Sequence, residues 1–153
     1  MLSHQKKYNI EIELKSEKIS NFEFLYNMSQ KELQILWQYL NEHLVKSFIQ
    51  SSYSLFVFSI LFVKKLNKKL HFCINYWILN AIIIWNQYLI FLIQETLNQF
   101  LKTQYFTKFD IIAVFNQIHI CESDEKYTAF WTQWKLFEQL IISFNLKNES
   151  SIF

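Results

Sequence analysis

Not one glycine or proline occurs in the 153 residues of this chain. Glycine enters positive φ without steric cost, and tight hairpin turns and helix ends draw on it heavily. Proline fixes φ in advance. Every sharp reversal here must therefore be closed by Asn, Asp or a strained residue, and every helix must stop without its usual punctuation. Collagen-like, glycine/serine-linker and proline-rich classes are excluded. A content of 52% hydrophobic and 19% aromatic residues excludes ordinary disorder.

The omission extends further, because all 15 basic residues are Lys and the only alanines are Ala81, Ala113 and Ala129. The depleted types share codons that begin with two G or C bases, whereas the abundant Phe, Ile, Tyr, Asn and Lys have A/T-rich codons. The bias is therefore one of nucleotides before it is one of residues. Its physical cost falls on folding, since apolar β-prone runs of low charge such as Ser54 to Val63 and Ile82 to Trp85 favour aggregation once packing is imperfect.

The length suits one domain. A formal net charge of +2 selects no class of partner. Cys73 and Cys121 have neither metal spacing nor a secretory context and read as free buried thiols in a reducing compartment. Met1 to Lys7 carries no apolar run behind its basic pair, so a secretory leader is not expected, and an intracellular setting, cytoplasmic or nuclear, is. Histidines at 4, 43, 71 and 119 are too scattered for a zinc site. The stretch 72–94 has no charged residue and is long enough to cross a bilayer, which makes a small membrane-associated protein the alternative. Asn75, Asn80, Asn86, Gln87 and Gln94 place amides along that stretch and argue against insertion.

Along the chain, alternation at Ile10, Ile12 and Leu14 precedes a helix signal at Ser29. Ser29-Gln30-Lys31-Glu32 is a capping box, and Leu33, Leu36, Trp37, Leu40, Leu44 and Phe48 recur behind it at helical spacing, predicting a helix over about 30–46. Two β-branched and aromatic runs, Tyr53 to Val63 and Leu70 to Tyr76, flank the basic turn Lys64-Lys65-Leu66-Asn67-Lys68-Lys69 and predict a hairpin. A shorter helix is expected over about 90–101, a strand over Gln104 to Ile111, and a second hairpin over Tyr127 to Leu140. The fold class is α+β, an antiparallel sheet with packed helices.

Asp110 is an isolated acid at the end of an apolar run, a position that must be paired, solvated or turned toward a cation. Around it, in order, stand Leu61-Phe62-Val63-Lys64-Lys65, Phe72-Cys73-Ile74-Asn75-Tyr76, Leu79-Asn80-Ala81, Leu92 to Leu97, Tyr105-Phe106-Thr107-Lys108-Phe109-Asp110, Phe115-Asn116-Gln117-Ile118 and Thr128-Ala129-Phe130. This ordered set resembles the reverse transcriptase of gypsy-type LTR retrotransposons, from about Tyr8 to Phe153. The departures are systematic. Where that family has Arg, this chain has Trp77, Trp131, Gln87, Gln133, His71 and His119; where it has Gly, Ser123 and Asn145; where it has Pro, Leu89, Ser59, Ser143 and Ser150. Most are single C-to-T or G-to-A changes, the mark of directional damage to a silenced repeat, and a decayed product without function is a further alternative.

The resemblance implies fingers and connecting helices over about 1–104 and the start of a palm over about 105–153, ending before the family's Y-x-D-D hairpin. It implies RNA-directed DNA polymerase chemistry, in which two Mg²⁺ ions activate a primer 3′ hydroxyl and stabilise the leaving pyrophosphate. Asp110 matches the first metal-binding and catalytic carboxylate; the second and third have no counterpart in this sequence. Lys65 matches a lysine that contacts the incoming triphosphate. His71 stands where a partnering Arg would offer a bidentate fork to phosphate. The N–H groups of Ala113 and Val114 match donors to triphosphate oxygens, and Phe115 matches the aromatic that blocks a ribose 2′ hydroxyl. The implied partners are an RNA or DNA template-primer and dNTPs, with no particular protein partner, and polymerisation by this chain alone is not expected. Glu122-Ser123-Asp124-Glu125 reads as a solvated turn between two strands.

Overall fold

The computed structural model describes residues 9–15, 26–64, 70–85, 97–98, 100–101, 103–108, 114–143 and 145–148. The first element is helix α1, Gln30–Val45, and it starts where the capping box places it. The Glu32 N–H donates to the Ser29 hydroxyl at 3.4 Å, and the Ser29 N–H donates back to the Glu32 carboxylate at 2.8 Å. Leu36 and Leu40 are the buried residues of this helix, whereas Trp37 and Leu44, expected on the same face, stay largely exposed. Trp37 instead meets Trp134, with ring centroids 5.0 Å apart.

The end of α1 shows how the chain manages without glycine. The Phe48 N–H reaches the His43 carbonyl at 2.9 Å and the Ser47 N–H reaches the Leu44 carbonyl at 3.1 Å, the paired bonds of a left-handed helix stop. That geometry requires positive φ, and Ser47 adopts it at 56°. Among the described residues Ser47 is alone in doing so, and of the expected sources of positive φ it is the strained residue, not Asn or Asp, that serves there. The basic turn with Asn67, residues 65–69, lies outside the described residues.

Strand β1, Ile49–Ser51, follows immediately, but the expected strand from Tyr53 does not. The Ser54 N–H is held by the Ser52 hydroxyl and the Phe56 N–H by the Ser54 hydroxyl, both at 3.0 Å. Such local side-chain bonds give the backbone an alternative to a ladder. Regular pairing resumes at β2, Ile60–Lys64, which joins β3, Leu70–Ile74, in an antiparallel hairpin with Ile60 opposite Ile74 and Lys64 opposite Leu70. Helix α2, Trp77–Ile82, comes next. The predicted segment 72–94 thus divides, within its described part, into a strand end and a six-residue helix, and no helix among the described residues is long and apolar enough to cross a membrane.

Of the helix expected over 90–101 only 97–98 and 100–101 are described. The expected strand from Gln104 is not formed over its described residues, 104–108, which are exposed and enter no ladder; the Phe106 ring packs on Phe100 instead, at 5.8 Å. Two 3₁₀ helices, Val114–Gln117 and Glu125–Thr128, lead to β4, Phe130–Trp131, and β5, Leu136–Gln139. These last strands form the second expected hairpin, closed by the Thr132 hydroxyl, which donates to the Lys135 carbonyl at 2.7 Å. The sheet order is β1-β5-β4, with Gln50 opposite Glu138.

The core lies between α1, the β2–β3 hairpin and the three-stranded sheet, and it includes Leu36, Leu40, Phe58, Ile60, Tyr76, Leu79, Ile120 and Phe130. The N-terminal alternation is used here. Ile10 bridges to Ile120, Ile12 is buried and Leu14 bridges to Ile83, so one short segment ties the region around Ile120 to the end of α2. Cys73 and Cys121 are free thiols, as expected, though half-buried and not enclosed.

Candidate functional site

The hairpin β2–β3 alternates sharply across its two faces. Ile60, Phe62, Phe72 and Ile74 belong to the core or pack against it, while Leu61 and Val63 remain exposed, with Cys73 and His71 opposite them. His71 therefore sits one pair from the end of the described ladder, half-buried, on the face away from Phe72. Lys64 ends β2 in solvent and contributes a weak electrostatic pull on Glu32, which places the start of α1 near the basic end of the hairpin. Lys65 itself lies outside the described residues.

An aromatic stack seats the hairpin. The Tyr39 ring stacks on Phe72 at 4.1 Å, and Phe72 meets Phe62 and Phe130 edge-on at 6.2 and 5.8 Å. Phe130 in turn stacks on Phe137 of β5 at 6.1 Å. Such contacts add roughly 0.5–1.5 kcal/mol per pair beyond the area that they bury. The hairpin with its basic end is thus fixed to both α1 and the three-stranded sheet by packing.

Of the remaining sequence candidates, Asp110 and Ala113 lie outside the described residues, and Val114 and Phe115 open the 3₁₀ helix Val114–Gln117. The structure therefore places His71 and the backbone of residues 114 and 115, and does not bring the whole set together. Among the described residues no group of three or more His, Cys, Asp or Glu side chains could hold a metal ion, so the described residues do not by themselves fit Mg²⁺.

The acidic run behaves differently from the solvated turn expected of it. Asp124 accepts the Ile12 N–H at 2.8 Å, anchoring the N-terminal segment. Glu125 is half-buried, and one amide nitrogen of Gln50 donates to both Glu125 at 3.0 Å and Glu138 at 2.8 Å. Loss of solvation, followed by the nearby Glu138 and Glu122 charges, pushes the Glu125 carboxyl up to about 7. Gln50 and Glu138 are 88 residues apart; no spacing rule would have joined them. A second unforeseen brace links α2 to the chain after β5. Asn80 donates to the Asn145 carbonyl at 2.8 Å and accepts the Lys147 N–H at 2.9 Å, while Asn145 donates to the Ile74 carbonyl at 3.1 Å.

Solved structures carry the same arrangement of helix, hairpin and sheet. The chain matches prototype foamy virus protease-reverse transcriptase with a TM-score of 0.68 at 17% identity, over 82% of this chain and 17% of that one. The chain resembles part of a reverse transcriptase. A second structure, of the foamy viral protease-reverse transcriptase in complex with dsDNA, matches at TM-score 0.68 and 15% identity, over 86% of this chain and 28% of its own. Identities this low show the fold alone. In sequence, the chain is 37% identical over 86 residues to the retrovirus-related Pol polyprotein from transposon opus of Drosophila melanogaster, covering 56% of this chain and 9% of that protein. It is 30% identical over 88 residues to an RNA-directed DNA polymerase homolog of Oenothera berteroana, covering 58% and 62% respectively. The chain thus spans less than two thirds of both relatives. No family model matches it.

Proposed function

We propose that the chain supplies the fingers, to about residue 104, and the opening of the palm, from about 105, of a gypsy-type retrotransposon RNA-directed DNA polymerase, and that it holds nucleic acid without polymerising alone. The observation that carries this reading is the β2–β3 hairpin, whose strand β2 ends on the exposed Lys64 and which packs on α1 and β4, within a fold matched at TM-score 0.68 by a reverse transcriptase structure. A dsDNA complex of one such neighbour supports a duplex as partner. Lys64, Lys65, Lys68 and Lys69 supply the positive charge that phosphates need. The setting would be intracellular, with its template.

In this reading Lys65 meets a triphosphate and His71 stands where a guanidinium would offer its bidentate fork to phosphate. The Ala113 and Val114 N–H groups would face phosphate oxygens and Phe115 would sit against the sugar. Asp110 would be the single carboxylate here that matches the family's Mg²⁺ ligands, which is why catalysis by this chain alone is not expected.

The test is primer extension with template-primer, Mg²⁺ and dNTPs beside an Asp110→Asn control, together with duplex binding by fluorescence anisotropy. The expected result is salt-sensitive binding, weakened by joint Lys64→Gln and Lys65→Gln changes, with no extension above the control. Extension that disappears in Asp110→Asn would overturn the claim of inactivity. Absence of binding at low salt by folded protein would overturn the nucleic-acid reading.

A further inference from the structure

The aromatic stack that seats the hairpin does not end at Tyr39. On α1, one turn further on, the His43 ring lies nearly parallel to Tyr39 with centroids 3.8 Å apart, and Phe48 meets His43 edge-on at 5.8 Å. His43 Nδ1 lies 2.8 Å from the Tyr39 carbonyl. A carbonyl only accepts, so Nδ1 carries the proton in the neutral ring and Nε2 is the atom that titrates. The stack therefore runs His43, Tyr39, Phe72, Phe130, Phe137, from α1 through the hairpin to β5, with one ionisable ring at its outer end.

We propose that His43 is a proton-operated latch for the β2–β3 hairpin: neutral, it backs Tyr39 and holds the stack closed; protonated, it withdraws and the hairpin loosens from α1. The ring is half-buried between Tyr39 and Phe48, and an imidazolium must expose its Nε2–H to water. Loss of solvation is the largest effect and lowers the His43 pKa from its usual 6.5, although the bond from Nδ1 to the Tyr39 carbonyl favours the cation.

The charges around the ring do not reverse this. On α1, Glu42 favours the cation and Lys46 opposes it, and those two side chains are paired with each other. Phe48 from the turn before β1 and Phe72 from β3 are uncharged. His71, the ionisable neighbour of Phe72, lies on the opposite face of the strand. From β5 the approach is through Gln139, whose amide donates to the Tyr39 hydroxyl at 3.5 Å.

The sign follows from linkage. A histidine whose folded pKa is depressed binds protons more weakly folded than open, so support for the closed stack is complete above pH 6.5 and falls as pH drops below it. One proton taken up on opening changes the open population by up to about tenfold per pH unit in that window.

The decisive measurement is amide hydrogen exchange of the β2–β3 strands between pH 5 and 7.5, corrected for intrinsic rates, beside an NMR titration of the His43 ring. The expected result is a His43 midpoint below 6.5 and hairpin protection that falls with acidification, by up to about tenfold per unit, in the wild-type chain but not in His43→Phe. A His43 midpoint at or above 6.5, or an equal fall in His43→Phe, overturns the latch. Should His43→Phe fail to fold, His43→Gln serves as the uncharged variant, and the wild-type ring titration decides alone. Duplex binding plays no part in these readouts, so the latch stands or falls apart from the proposed function.

Discussion

The β2–β3 hairpin and the β1-β5-β4 sheet share one core but are held by different forces. The hairpin is seated chiefly by rings: Tyr39, Phe62, Phe72 and Phe130 meet at 4.1–6.2 Å, beside one side-chain bond from Asn145 to the Ile74 carbonyl. The sheet is fixed by directional polar contacts centred on Thr128, whose buried hydroxyl donates to the Glu125 carbonyl at 2.7 Å and accepts the Gln139 N–H at 2.9 Å. The Tyr76 hydroxyl donates to the Thr128 carbonyl at 2.7 Å, joining α2's entry to the same point. Apolar contacts can slide and re-form, whereas a buried donor that loses its acceptor has no substitute. The hairpin is thus the adaptable half and the sheet the specified half.

Phe130 belongs to both halves, and Phe130→Ala should have the largest effect, a loss of about 3–5 kcal/mol by urea unfolding, because the ring is wholly buried. Thr128→Val keeps the shape but orphans the Gln139 N–H, and should cost about 1–3 kcal/mol, read as loss of protection across β4 and β5. Phe72→Leu in the adaptable half should cost less than about 1.5 kcal/mol; a cost equal to that of Thr128→Val would erase the distinction.

Ser47 sits at the junction of α1 with the sheet, and Ser47→Gly should raise stability by about 0.5–1 kcal/mol, the left-handed strain relieved less the extra freedom of the unfolded glycine. The smallest effect expected is at Glu125. Its carboxyl titrates near 7 when folded against an ordinary 4.5, so its contribution is complete below pH 4.5 and is lost as pH rises through 7. Glu125→Gln stays neutral at every pH and should flatten that loss, giving a modestly higher Tm than the wild type at pH 8 and none at pH 4. Solvent screening of this partly exposed group keeps the difference small. Its sign is opposite to that of His43, so pH scans of the two variants separate the halves.

Local chemistry was legible in the sequence. The capping box marks α1's first residue, β-branched and aromatic runs around a basic turn mark the first hairpin, alternation at Thr128, Phe130, Thr132 and Trp134 marks the second, and the ordered blocks from Leu61 to Phe130 point to a fold that solved structures share. What the sequence hid depends on distant partners. β1 has no expected counterpart, because its pairing with β5 leaves no local signature. The run from Tyr53 has strand composition, but the Ser52 and Ser54 hydroxyls hold its first N–H groups locally. The Glu122–Glu125 run looks solvated in sequence because its contacts, Ile12 and Gln50, lie 112 and 75 residues away. Of the site residues, only His71, Val114 and Phe115 can be placed on elements, and their chemistry still derives from the resemblance.

The 88 residues between Gln50 and Glu138 also set a clock. A ribosome adds about 5–20 residues per second, so β1 emerges roughly 4–18 s before the strand that completes it. Throughout that interval α1 can form on its own cap, but Ile49–Ser51 presents unpaired backbone next to an apolar run with neither glycine nor proline to interrupt it. The newborn chain is therefore most vulnerable before β5 is made, and its yield in a cell should depend on what shields that waiting edge more than on the stability of the finished fold.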